Sequence, residues 1–583
     1  MDQMTSGNPG QDAATLEQIA DEVDRERLMA HMREFARRVK LSGTPEELES
    51  FLYLQEQMKG FGYRTELLSH DAYISLPGKS RVEEGSREIR SITHSMSVPT
   101  AGGPVTAELV YVGEGTEELI SRQDVRGKIL LIDGIAFEDV AAAASKAGAL
   151  GELHVSPTEL LYEMCVSPVW GSPSQHTKAQ LPSTVICTIS RDDGAALRER
   201  VQAGESVCVT LETEVDTGWR KTPLLVCEIG ARGGEHGGDL EGGASSDPFI
   251  LFSGHHDTWH FGVMDNGGAN ATMLEASRIL AAHRQDWQRG LRVCFWSGHS
   301  HGRYSGSAWY ADDYWHDLER RCAAHVNVDS TGGAGADVLG HSGVIDELKA
   351  LAADEIAAVS GQLHEGRRQG RAADQSFWGV GIPSMFGSLS HHPQGALKMP
   401  VALGPWWHTP EDLIEHIDPD NLVRDTKIAL RVLWRLLAET VLPLRYTAYA
   451  QALADELDRI DGALAGRLPL DDLKRAVGEI RHLASEIETG AESLSGAAAR
   501  KADAALMRAS RALVPLNYTS GERFHHDPAV PSPGWLGLQG IRDLAGLEAG
   551  SPETLFYTVH ARQTRNRVAH ALHQAREALA AAL

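Results

Sequence analysis

The chain has 583 residues, too many for one hydrophobic core, so several domains are expected. Its formal charge of −25 speaks against nucleic acid as a partner, because phosphate binding needs clustered lysine and arginine. No apolar run approaches the roughly 18 residues of a membrane span, and the polar, acidic start MDQMTSGNPG lacks the features of an export signal, so a cytoplasmic protein with no membrane role is expected.

From Leu16 to about Arg64 the apolar residues recur at helical spacing, as at Ile19, Val23, Leu28, Met32 and Phe35, and Phe61 to Leu68 then reads as a strand. Between Ala107 and Thr213 the texture changes to short β-rich runs around one alanine-rich helix, Glu138 to Ala147, which marks an inserted β-rich domain. Strands follow near Leu224 to Ile229, Phe249 to Ser253, Leu291 to Trp296 and His325 to Asp329, with helical periodicity between the later ones at Ala269, Met273, Ala276 and Leu280. Alternating strand and helix implies an α/β fold with a mostly parallel sheet flanked by helices, whose ligands gather at the C-terminal ends of the strands. The glycine-rich stretch Gly230 to Gly243 reads as a loop between strands, and from about Tyr446 onward the chain reads as a helical domain broken by a loop at Asn517 to Gly537. The six cysteines show no CxxC spacing and fall mostly in apolar runs, the pattern of buried thiols.

Candidate chemistry collects at the strand ends. In LFSGHHDTWHFGVMDNGGAN, His255 and Asp257 share one side of an extended chain, as suits a metal ligand and the carboxylate that supports it, and Asp265 sits in a glycine-rich turn before a helix. Asp329 closes the apolar strand HVNVD, and His408 precedes Thr-Pro-Glu, read as a helix start. Together His255, Asp265, Asp329 and His408 form a nitrogen and oxygen donor set suited to zinc or a similar divalent ion.

The order of GHHDTW, MDNGGAN, the block Phe295 to Ser307, NVDS, ADQSFWGVGIP and WWHTPED resembles the metallopeptidase family of bacterial leucyl and aminopeptidase S-type enzymes, glutamate carboxypeptidase II and the nonenzymatic transferrin receptor. The resemblance implies a catalytic domain over 1–98 and 222–440, a protease-associated insert over 99–221, and a helical dimerisation domain over 441–583. It also implies that His255, Asp265 and Asp329 bind one metal, Asp265 and His408 a second, and that Asp257 orients His255. The expected function is hydrolysis of a small amide or peptide by a metal-activated water in a homodimer, with zinc at one or two ions per chain.

One block departs from the family. Where its members carry Glu-Glu, a general base followed by a metal ligand, this chain reads FWSGHSHGRYSGS and has no carboxylate between Arg292 and Asp312. Counting from Trp296 places His299 and Ser300 at the two positions, whereas counting back from Gly306-Ser307 places Ser300 and His301 there. His299 is the expected base, with Ser300 beside it, and His301 the expected replacement ligand. A dimer without catalysis and a nonhydrolytic metalloenzyme are the rival readings. Trp259, Trp406 and Trp407 are candidates for the pocket wall, His391 and His392 fall in a loop after GSLS, and Arg523, His525 and His526 lie in a loop that the family brings to the mouth of the site.

Overall fold

The computed structural model describes residues 16–231, 247–393, 403–548 and 550–583. Most of the Gly230 to Gly243 loop lies outside the described residues. Four strands, Gly290–Trp296, Phe249–His255, Cys322–Asp329 and Ser384–Ser388, run parallel at the centre of the sheet. Every residue of the first three is buried, which is why they read as continuous apolar runs rather than alternating ones. Helices Arg25–Phe35, Pro45–Gly60, Ala269–Ala282 and Pro419–Ala438 pack into the same core. Asp24 and Asp418 cap two of them by accepting backbone N–H bonds of the first turn.

The strand expected at Phe61 to Leu68 runs from Arg64 to Glu84, and it pairs antiparallel along most of its length with Cys208–Ile229. That long pair joins two lobes. Its far end carries Val105–Tyr111, followed by parallel strands Ile129–Asp133, Gly151–Val155 and Val185–Ile189, with helix Glu138–Ala147 against them. The strand Cys208–Ile229 runs across the expected boundary at 221, so the two lobes share it.

Helices Tyr446–Leu464, Asp471–Gly490, Gly496–Tyr518 and Pro552–Ala580 form the C-terminal region. Its attachment to the sheet is close and polar. Gly381 has φ +87° and faces the third of these helices, where a Cβ would lie 2.5 Å from the Arg511 Cα. The buried Arg511 donates to the Gly381 carbonyl at 2.9 Å, and the buried Arg289 donates through Nε to Asp503 at 3.0 Å. All six cysteines are free and five are buried; Cys208 is exposed. Among the described residues no helix is long and apolar enough to cross a membrane.

Candidate metal centre

His255 ends its strand with a defined tautomer. Its Nδ1 lies 2.9 Å from the carbonyl oxygen of Asp257, which can only accept, so Nδ1 carries the proton and Nε2 keeps its lone pair. That Nε2 lies 3.1 Å from Asp265 Oδ1 and 3.6 Å from Asp329 Oδ1. His255 Nε2 and Asp265 Oδ1 are both buried and neither has a hydrogen-bond partner. Two acceptors facing each other in this way need a cation between them, so the residues present fit a metal ion.

His408 approaches from the other side. Its Nδ1 is 2.7 Å from the Glu163 carbonyl oxygen, and its Nε2 is 3.1 Å from Asp265 Oδ2. The same Nε2 also accepts the indole N–H of Trp259 at 3.0 Å. No α-helix starts directly behind His408: a bend and turn occupy residues 409–411, a single 3-10 turn follows at Ile414–His416, and the α-helix begins at Pro419, where Asp418 rather than Thr409 supplies the cap. The Thr-Pro-Glu sequence serves another purpose. The Asp412 carboxylate that follows it accepts the backbone N–H groups of Met264 at 2.9 Å and Asp265 at 3.0 Å, fixing the turn that carries Asp265. Burial raises the Asp412 carboxyl to about 7.

The Asp257 carboxylate does not make the hydrogen bond that orients His255; the backbone carbonyl of the same residue does, while Asp257 Oδ1 stays 3.7 Å from Nδ1. Instead the carboxylate accepts the His299 N–H at 3.2 Å, the Ser300 N–H at 2.9 Å and the Ser42 hydroxyl at 2.6 Å. It therefore pins the turn that carries His299 and Ser300.

That turn points His299 and Ser300 into the cavity. His299, His255 and Asp329 each offer a donor atom within 4.8 Å of the others. His299 Nδ1 is held by Asp374 Oδ2 at 2.7 Å, and Asp374 Oδ1 accepts the Ser307 hydroxyl at 2.8 Å. The Ser300 hydroxyl is buried with no partner. His301, expected as a ligand, stands outside this cluster. Its ring lies against Trp259, 4.6 Å between centroids, and its Nδ1 is 3.0 Å from the Ser42 hydroxyl. Trp259, itself 5.1 Å from the His408 ring, intervenes. The geometry thus follows the register counted from Trp296.

The cavity over this centre has a volume of about 720 Å³. Trp259, Trp407, His391 and His392 line it, whereas Trp406 stacks on His416 with centroids 4.0 Å apart. Arg523, His525 and His526 line a separate crevice. Sequence reasoning gave no role to Asp374, Asp412, Ser42 or Glu163. Asp374 and Asp412 stand inside the blocks ADQSFWGVGIP and WWHTPED, which is the signal that was available for them; Glu163 acts through its backbone, which leaves none.

Residues 237–433 match the sequence profile of peptidase family M28. The chain is 23% identical over 533 residues to the probable glutamate carboxypeptidase VP8 of Zea mays, a match covering 79% of this chain and 73% of that protein. It is 25% identical over 397 residues to aminopeptidase YwaD of Bacillus subtilis (strain 168), covering 66% and 78%. Against the probable glutamate carboxypeptidase AMP1 of Arabidopsis thaliana, 24% identical over 298 residues, the match takes in 47% of this chain and spans only 40% of the relative's length. Among solved structures, the aminopeptidase from Aneurinibacillus sp. strain AM-1 superposes with a TM-score of 0.54 at 24% identity, covering 72% of this chain and 96% of that one. The chain thereby shares its α/β fold with that aminopeptidase, and the residues matched by the family profile include His255, Asp265 and Asp329.

Proposed function

We propose that the chain is a divalent-metal-dependent hydrolase that cleaves an amide or peptide bond of a small substrate. The observation that carries this reading is the 3.1 Å approach of His255 Nε2 and Asp265 Oδ1, two buried acceptors with no donor between them. His255, Asp265 and Asp329 would hold the ion, with His408 reaching Asp265 from the opposite side, and zinc suits this set. When bound, the ion supplies Lewis acidity and an activated water. His299, fixed through Nδ1 by Asp374, carries the proton at Nε2 from the attacking water to the leaving amine. The indoles of Trp259 and Trp407 narrow the cavity and exclude bulk water. With no carboxylate in the 299–301 turn and the His408 lone pair engaged by Trp259, the site favours one tightly held ion.

A homodimer formed through the C-terminal helices, a protease-associated role for the inserted lobe, the domain division at 98, 221 and 440, and a cytoplasmic location complete the proposal. The six free thiols support the last of these.

Elemental analysis of the purified protein before and after zinc addition, with turnover measured on a panel of aminoacyl and peptidyl amides, tests the reading. Bound metal is expected, with turnover abolished by His255→Ala. Bound metal without turnover on any amide would leave a non-catalytic dimer, and a protein that binds no metal would overturn the proposal altogether.

A further inference from the structure

The turn that carries His299 and Ser300 continues into a more constrained one. Arg303 and Tyr304 stand in the left-handed region at φ +47° and +69°, two bulky residues in a conformation that side chains rarely adopt. Strain of this kind persists only where the surroundings over-determine it, and it collects at functional sites. Here both other parts of the chain hold it. The Arg303 guanidinium pairs with Glu138 of the inserted lobe at 2.7 Å and donates to the Ala529 carbonyl of the C-terminal region at 3.2 Å. The Arg303 carbonyl accepts the Gly171 N–H at 2.6 Å, and the Tyr304 carbonyl starts helix Ser305–Asp313 by accepting the Ala308 N–H at 3.0 Å.

These contacts fix one ring. Tyr304 is buried, with Trp170 tilted over it at 4.3 Å between centroids and His299 meeting it edge to face at 4.8 Å. Buried phenols ordinarily find an acceptor, and Tyr63, Tyr162, Tyr446 and Tyr449 each donate to a protein oxygen. Tyr304 makes no such bond among the described residues. The unpartnered hydroxyl of Tyr518 is sealed within protein, whereas that of Tyr304 opens on the cavity that Asp329 and His299 also line. Burial pushes the Tyr304 phenol up to about 12, against the pull of the Arg303 guanidinium, so it stays protonated and able to donate through the neutral range.

A neutral donor at this place answers a need of the reaction. As water adds to an amide carbonyl, the C–O bond to water forms, the π pair moves onto the carbonyl oxygen, and a fixed donor aimed there shares the charge. The other donors of the turn are engaged or enclosed. The N–H groups of His299 and Ser300 are spent on the Asp257 carboxylate, the Trp259 indole on His408, and the Ser300 hydroxyl is sealed within protein. Tyr304 lies between Trp296 and Gly306, in the stretch where the two ways of counting disagree, so the family resemblance assigns it no role.

We propose that Tyr304 is a further catalytic residue, whose hydroxyl donates a hydrogen bond to the substrate carbonyl oxygen and holds it more strongly as the carbon becomes tetrahedral. The proposal rests on the hydrolase reading for its reaction. No proton leaves Tyr304: the one from the attacking water passes through His299 to the leaving amine, and the C–N bond breaks as the carbonyl re-forms.

Two measurements on the zinc-loaded full chain test it. Tyr304→Phe removes one oxygen and keeps the ring between Trp170 and His299. On the amide that the wild type turns over fastest, kcat should fall roughly 10²- to 10³-fold, the usual effect of removing one such donor, with KM and zinc content little changed. A raised KM with unchanged kcat would make Tyr304 a wall of the pocket only and overturn the assignment, as would native kinetics. The second measurement needs no turnover. Calorimetric titration compares dimethylphosphinate, whose phosphorus is tetrahedral, with acetamide, which is planar. The wild type should bind the phosphinate roughly tenfold or more tightly than Tyr304→Phe does, and the two proteins should bind acetamide alike. Equal phosphinate binding overturns the assignment and leaves the hydrolase reading standing, whereas a wild type that binds no phosphinate and cleaves no amide sinks the hydrolase reading and the assignment with it. Should Tyr304→Phe lose zinc, 3-fluorotyrosine at position 304, a stronger donor of nearly the same shape, decides instead: tighter phosphinate binding supports the role, and equal or weaker binding overturns it.

Discussion

The imidazole of His299 lies on that of His255, with ring centroids 3.7 Å apart and planes inclined by 12°. The two rings are held from opposite sides, His255 through the Asp257 carbonyl and His299 through the Asp374 carboxylate. Partners of this kind fix ring orientation and tautomer, and losing one typically costs 10- to 100-fold in metal affinity or activity. Asp374→Asn is therefore expected to lower turnover by about that factor. Steady-state kinetics beside circular dichroism checks it; a variant with native spectrum and native rate would show that His299 needs no such support.

Trp259 competes for the lone pair of His408. Replacing it by phenylalanine removes the indole N–H that His408 Nε2 accepts at 3.0 Å while keeping an aromatic wall. Trp259→Phe should raise the zinc content per chain above that of the wild type in elemental analysis at equal free zinc. An unchanged ratio would mean that the indole yields to the ion without measurable cost.

Arg289 and Asp503 tie the sheet to the C-terminal helices. The arginine is fully buried, and the carboxylate also accepts the Leu442 N–H at 2.7 Å. Removing one partner of a buried pair strands the other, a loss of about 3–5 kcal/mol. Asp503→Ala should lower the denaturation midpoint accordingly, and Asp503→Asn, which keeps an oxygen acceptor, should lower it less. Chemical denaturation followed by tryptophan fluorescence distinguishes them.

Glu347 gives a pH signature far from the metal centre. Both of its carboxyl oxygens are buried without hydrogen-bond partners, and burial raises its pKa from 4.5 to about 8. The folded protein then holds a proton that the unfolded chain releases. The stability this contributes is complete below the unfolded value of 4.5 and is lost as pH rises toward 8. Glu347→Gln should flatten the fall in Tm between those limits, read by scanning calorimetry in a buffer series. An identical fall in the variant would place its origin elsewhere.

The central strands were legible because burial on both faces demands unbroken apolar runs, and Phe249–His255, Gly290–Trp296 and Cys322–Asp329 supply them. Helix Glu138–Ala147 was legible from its alanines and the glycine that follows, Gly148, in the left-handed region at φ +82°. The length of Arg64–Glu84 was not, because its second half is partly exposed and carries Pro77 and Gly78, residues that ordinarily argue against a strand. At the site, His255, Asp265, Asp329 and His408 converge because each closes a strand or a turn at one rim of the sheet. The choice between His299 and His301 was hidden, because it depends on which way a turn faces. The Asp257 carboxylate sets that direction through two backbone N–H groups, and backbone donors carry no side-chain identity.

The hydrogen bond from His408 Nδ1 to the Glu163 carbonyl crosses from residues 237–433, the stretch matched by the family profile, into the inserted lobe, and the Ser42 hydroxyl on Asp257 comes from an earlier part of the chain. The centre is thus not portable. A fragment cut at 222 and 440 would retain every donor proposed for the ion, yet His408 would lose the acceptor that selects its tautomer and Asp257 one of the three groups that settle its carboxylate. A transplant of the ligands alone would carry the letters of the site and leave its grammar behind.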